Sequence, residues 1–257
     1  MAPVHPTGAG KAKTKVRIMI FIITWLSKHT LVVFAGLIFL ALFFWLMRFQ
    51  KKLKLGWQEV MLVSFGHVAI GWSSMILLAI IEVGFDLDKA ANLRLFGAVF
   101  LLPCMYYLWA RVTKRNTALV MDVAAICVIF GAISGRFNCF TSGCCNGLPI
   151  LPGSDICWPL RETELIFYVG FIGFYAGKIL KGKTFGQVYG VYMVMYGTIR
   201  FLMEFVREEF TTQIGIFHLA HIWSLISVAV GAIMYYQANK KQLNRRSTPK
   251  LKPERLK

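Results

Sequence analysis

The chain has 257 residues, 57% of them hydrophobic and 16% charged, with a mean hydropathy of +0.59. Soluble globular domains carry roughly 45–50% apolar and about 25% charged residues, so this composition excludes a water-soluble enzyme and predicts an all-α polytopic membrane bundle. The formal net charge of +17 does not imply nucleic acid: the lysines and arginines lie in short runs between apolar segments and in the tail, where anionic lipid headgroups attract them, and no soluble segment remains to carry a nucleic-acid patch.

Residues 1–29 form a basic tail (Lys11, Lys13, Lys15, Arg17) leading into an apolar stretch at 18–26. No small-residue cleavage site follows and an apolar run begins at once, so an interfacial helix is expected rather than a signal peptide. The transmembrane domain is expected over 30–239 and a basic cytoplasmic tail over 240–257. Within the domain the apolar runs are 30–47, 60–81, 95–110 (with Pro103), 116–135, 165–177, 184–206 and 210–239. At about 20 residues per crossing they amount to seven spans. Pairs of small residues at Gly173/Gly177 and Gly186/Gly190 predict close helix packing. Orientation follows from Lys and Arg in short loops. Arg48, Lys51, Lys52 and Lys54, then Arg111, Lys114 and Arg115, then Lys178, Lys181 and Lys183 alternate with acidic or neutral loops, and share one side with the tail. That side is read as cytoplasmic and the N-terminus as outside, although the basic N-terminal tail dissents.

Between the fourth and fifth spans lies a polar knot, GRFNCFTSGCCNGLP at 135–149, with an arginine, two asparagines, three glycines and three cysteines. Unpaired backbone groups in lipid cost several kcal/mol each, so such a segment belongs where protein or a cavity covers it. The sixth span is the second signal. At 100° per residue Tyr189, Tyr196, Arg200 and Arg207 fall within about 40° of one another, with Glu204 beside them. An ionisable residue in a span costs at least about 2.5–3.5 kcal/mol and so faces a partner or a watery cavity. A bland reading stays open, in which Arg200 and Glu204 merely neutralise each other at i, i+4. With Arg136 at the same outer depth, three guanidiniums form a fork-shaped site for phosphate, and a phospholipid headgroup is the phosphate available there. Asp122, near the other end of the fourth span, reads as structural. Cys139, Cys144, Cys145 and Cys157 in the outer loop admit structural disulfides or buried thiols, a reactive thiol, or a metal site; no histidine stands nearby at zinc spacing. Cys104 and Cys127 read as packed, and His67, His218 and His221 as packed or interfacial rather than as ligands. No cofactor fingerprint is present.

The knot and the sequence YGTIRFLMEFVRE together resemble the bacterial prolipoprotein diacylglyceryl transferases, whose knot reads approximately G-R-x-x-N-F-x-N-G-E-x-x-G and whose later helix carries R-F-x-x-E-F-x-R. Gly135, Arg136, Phe140, Gly143 and Gly147 match the first pattern; Arg200, Phe201, Glu204, Phe205 and Arg207 match the second. The resemblance covers residues 94–236 and implies a seven-span transferase of the bacterial inner membrane, monomeric and without cofactor or metal. It would move a diacylglyceryl group from a phosphatidylglycerol-like phospholipid to an acceptor, in the family the lipobox cysteine thiol of a lipoprotein precursor. Arg136, Arg200 and Glu204 are then the expected catalytic residues. Arg207, Tyr196, Tyr189, Gly135, Phe140, Gly143 and Gly147 are expected to bind substrate. The chain departs from the pattern at Cys139 and Ser142, where the family has asparagine, and at Cys144, where it has glutamate. The family's His-Gly-Gly is Phe96-Gly97-Ala98, and its H-P-x-Q-L-Y-E segment has become residues 161–167, RETELIF. These changes describe a divergent branch. The rival reading is a non-catalytic lipid-binding or transport protein that keeps the phospholipid cavity; a seven-helix receptor is a third.

Overall fold

The computed structural model describes residues 30–85, 94–143, 145, 147–151, 153–154, 156–207, 213–214 and 217–247. The expected interfacial segment at 1–29 and the end of the basic tail lie outside them, as does Cys144. The described residues form seven long helices: α1 (Thr30–Met47), α2 (Trp57–Glu82), α3 (Leu95–Val112), α4 (Thr117–Ser142), α5 (Leu160–Leu180), α6 (Val188–Glu204) and α7 (Leu219–Ser247). A two-stranded hairpin, β1 (Gln213–Ile214) with β2 (Phe217–His218), precedes α7. Five of these helices are long and apolar enough to cross a bilayer, and Val32–Met47 of α1 is a shorter apolar helix. The protein is an all-α polytopic membrane bundle.

Helix α4 is its axis. Residues 120–129 are buried without interruption, because α1, α3, α5 and α6 all pack on it and its alanines and β-branched residues let four neighbours approach. An apolar segment surrounded in this way shows no amphipathic stripe. At one end of the bundle Arg115 donates to both oxygens of Glu59 at 2.8 Å and to the carbonyl of Leu53 at 2.9 Å, and lies 5.0 Å over the Trp109 ring. The turns after α1 and α3 are thereby held together at one end, as alternating basic loops require.

Helix boundaries differ from the apolar runs where polar side chains do the work of capping. Asp122 accepts from the backbone N–H of Gly186 at 2.8 Å and of Val188 at 2.9 Å; it caps α6 from across the bundle, which satisfies two of the N–H groups that every helix start leaves open. Gly186 has φ +92°, so α6 starts at Val188 rather than 184. At its other end α6 stops at Glu204, which leaves Arg207 outside the helix. Helix α4 runs seven residues beyond the end of its apolar run, through Cys139 to Ser142, and stops at Gly143 with φ +67°, the left-handed C-cap that glycine adopts without strain. The first half of the polar knot is therefore helical. Helix α7 likewise runs past 239, so the first part of the predicted tail is its last two turns.

The close packing predicted from glycine pairs is only partly found. A Cβ on Gly190 would sit 2.7 Å from the Gly231 carbonyl oxygen, and one on Gly197 2.6 Å from that of Ser224. These positions let the α6 and α7 backbones touch. At Gly173 and Gly177 no described residue lies within 4 Å of a Cβ placed there, and the spacing alone did not distinguish the two cases.

Candidate functional site

At the end of the bundle opposite Arg115, α4, α5 and α6 each bring buried charge to one point. Arg136 on α4 pairs with Glu164 on α5 at 2.5 Å. Arg200 on α6 reaches Glu164 with one terminal nitrogen at 3.3 Å and Glu204 with the other at 3.0 Å. Arg207, just past the helix, stands 3.6 Å from Glu204, and Tyr168 donates to Glu164 at 3.1 Å. The side chains of all three arginines are 10–11% exposed and of both glutamates 1–2%. Charges this buried persist only when paired and hydrogen-bonded. Arginine is the residue that can do this twice over, since its planar fork serves two carboxylates at once.

The order of the layers matters more than the distances. A cavity of about 430 Å³ opens beside the cluster, and Arg136, Arg200 and Arg207 line it whereas Glu164 and Glu204 do not. The carboxylates pair with the guanidiniums from outside the lining, and the three arginines form part of the cavity wall. Its far wall is apolar, with Phe34, Ile38, Val68, Leu95 and Leu102. Three cations set against two anions give a net positive face on a greasy chamber.

The polar knot positions one of these arginines. Gly147 bridges to Arg207, and the N–H of Leu148 donates to the carbonyl of Val206 at 2.8 Å. A Cβ on Gly147 would fall 2.5 Å from both Cβ and the carbonyl oxygen of Trp158, so glycine is required there. Gly135 and Tyr196 line the cavity, and the Tyr196 ring meets Phe96 edge-on at 5.1 Å. Gly143 caps α4 instead of lining the chamber.

Two other residues expected at the site lie apart from it. The Tyr189 hydroxyl donates to the Val99 carbonyl at 2.9 Å in the bundle core, and Phe140 turns outward beneath Arg161, 4.9 Å over its ring. Neither lines the cavity. Glu204, expected to act on substrate, stands behind Arg200 and Arg207. The Cys139 and Cys145 sulfurs are 3.8 Å apart, and Arg207 donates to Cys145 at 3.0 Å; both cysteines line the cavity mouth.

Sequence reasoning missed Glu164 and did not place His67 beside the cavity. Glu164 stands just before the apolar run that begins at 165, but α5 begins at Leu160, which puts the glutamate in its second turn beside the arginines. Its i, i+4 spacing to Tyr168 was the available signal. His67, read as packed, is buried but lines the cavity, with Nδ1 2.9 Å from the Tyr106 hydroxyl.

The family model for prolipoprotein diacylglyceryl transferase matches residues 89–237. The chain belongs to this family. Among curated relatives, the phosphatidylglycerol–prolipoprotein diacylglyceryl transferase of Dehalococcoides mccartyi is 24% identical over 165 residues, covering 59% of this chain and 63% of the relative. The protein of the same name from Clostridium tetani is 21% identical over 161 residues, covering 58% and 65%. That from Vibrio cholerae is 29% identical over 196 residues, covering 64% and 69%. The chain thus spans somewhat under two thirds of the first two relatives' length. No solved structure matches it. The family match contains the whole arginine–glutamate cluster and excludes α1 and α2, which supply much of the apolar wall.

Proposed function

We propose that the protein is a membrane transferase that binds a phospholipid of the phosphatidylglycerol type and moves its diacylglyceryl group to a thiol acceptor. The observation that carries the reading is the layered cluster: three arginines facing an apolar chamber, backed by two carboxylates that do not enter it. A phosphodiester has two unesterified oxygens with one negative charge, and the net charge of the cluster complements it. The chains of the same lipid suit the apolar wall. As the ester oxygen leaves the glycerol carbon, the phosphate gains a second negative charge. Donors already fixed at that place stabilise this developing charge without reorganising, the kind of term that contributes most to many enzymes.

In this reading Arg136 and Arg200 contact the phosphate, Arg207 closes the mouth, Gly135 and Tyr196 shape the wall, and Glu164 and Glu204 position the guanidiniums. The cluster faces the outer side, with the C-terminus cytoplasmic, as the loop charges require. The relatives' names supply prolipoprotein as the acceptor; the residues at Cys139, Ser142 and Phe96, which depart from the family pattern, support reading this chain as a divergent branch. The test is complementation: cells depleted of their own prolipoprotein diacylglyceryl transferase should regain lipid-modified lipoproteins when this chain is expressed, and should not with Arg136→Gln. Restored phospholipid binding without any transfer would instead favour the non-catalytic lipid-binding reading.

A further inference from the structure

A thiol that attacks carbon must lose its proton, and the carboxylates of the cluster are badly placed to take it. Glu164 and Glu204 lie outside the cavity lining and are each held by two arginines. Glu82 lines the cavity but is paired with Arg94 at 2.5 Å. Cys145 already accepts from Arg207 at 3.0 Å. The histidine of the described lining is His67, 3% exposed as a residue. Its Nδ1 lies 2.9 Å from Tyr106 Oη, and its Nε2 is 3.9 Å from where a Cβ of Gly131 on α4 would be. No side chain at Gly131 occupies the place next to this nitrogen, and Nε2 has no hydrogen-bond partner among the described residues.

From this geometry we infer that His67 is the general base of the transfer, with Nε2 receiving the acceptor thiol's proton. The inference rests on the transferase reading above. With Nδ1–H donating to the Tyr106 oxygen across the 2.9 Å contact, the lone pair is left on Nε2. The carbon–sulfur bond forms as the carbon–oxygen bond breaks. The oxygen leaves with the bonding pair as glycerol phosphate, the thiol proton passes to Nε2, and the imidazolium then returns it to the departing phosphate dianion.

The test compares two acceptors on the full chain reconstituted in phosphatidylglycerol vesicles: a cysteine peptide, whose alkyl thiol is mostly protonated at neutral pH, and an aryl thiol that is already ionised. His67→Asn, which keeps an N–H for Tyr106, and His67→Gln should lower kcat for the cysteine peptide by about 10²- to 10⁴-fold, the usual worth of a positioned base, with KM for the lipid unchanged. For the aryl thiol, which brings no proton, the same variants should retain nearly all of their rate. Loss of both rates in equal proportion would mean that His67 merely packs, and retention of both would mean that another group takes the proton; either overturns the inference. A measurement on the unmutated protein guards against variants that fail to fold: nitrogen NMR should find His67 with the proton on Nδ1, and a proton resident on Nε2 refutes the base role outright. If the unmutated protein transfers to neither acceptor, the transferase reading falls and takes this one with it. Transfer to both, with variants indifferent to the acceptor, removes this inference alone.

Discussion

Replacing Arg200 by lysine tests the site most directly, because the structure separates what the change does to folding from what it does to catalysis. Arg200 spans Glu164 at 3.3 Å and Glu204 at 3.0 Å with two different nitrogens, and a lysine ammonium can occupy only one of those positions. Neither carboxylate is left alone, since Glu164 keeps Arg136 at 2.5 Å and Glu204 keeps Arg207 at 3.6 Å. The stability cost should therefore approach one charged hydrogen bond, about 1.5–3 kcal/mol, rather than the roughly 3–5 kcal/mol of a buried ion stripped of its partner. Transfer should suffer more. A donor aimed at developing transition-state charge contributes about 2.7–4 kcal/mol, so turnover per folded molecule should fall about a hundred- to a thousandfold. Arg136→Lys should behave likewise. The assay follows a fluorescent diacylglyceryl group from phosphatidylglycerol to a cysteine peptide, normalised to the folded fraction from size exclusion in detergent. The double variant Arg200→Gln, Glu204→Gln is the decisive control: it removes one positive and one negative charge, leaving the net charge of the cluster unchanged while deleting the fork. If the double variant transfers within about threefold of the unmutated rate, Arg200 only neutralises Glu204 and the phosphate clamp is refuted.

Four further outcomes are expected. Glu164→Gln should lower stability by about 3–5 kcal/mol, because Arg136 and Arg200 share that carboxylate; an unchanged thermal denaturation in detergent would show that the arginines find other partners. Gly190→Val should disrupt the α6–α7 contact and reduce the folded yield, whereas Gly173→Val, with nothing within 4 Å, should not; comparable yields for the two would contradict the crossing. A membrane-impermeant thiol reagent applied to intact spheroplasts after mild reduction should label the exposed Cys157, and labelling only after the membrane is opened would invert the orientation. Serine at Cys139, Cys144, Cys145 or Cys157, one at a time, should reduce stability more than turnover per folded molecule. A variant that folds normally yet is inactive would point to a covalent thiol mechanism.

Composition and hydropathy determined the class of this protein. An apolar run of span length has no soluble alternative, and the seven runs correspond to the seven long helices because lipid requires every backbone group of a crossing segment to be satisfied within its own helix. Arg136, Arg200, Glu204 and Arg207 were also legible, since ionisable residues in or beside a span demand a partner or a cavity wherever they occur. The sequence could not say which partner. Glu164 belongs to the cluster because α5 starts five residues before its apolar run, directly after Pro159. Tyr189 shares the helical stripe of Arg200 but lies nearly three turns away, where α3 covers it and the Val99 carbonyl takes its hydroxyl. Asp122 caps a helix 64 residues later in the chain. Gly190 and Gly173 have the same local pattern, yet only one meets a neighbouring backbone. His67 is a lone histidine in an apolar run until Tyr106 of α3 and Gly131 of α4 meet it at the wall of the chamber. Periodicity reports which side of a helix is unlike the rest, whereas only the assembled bundle decides what that side meets.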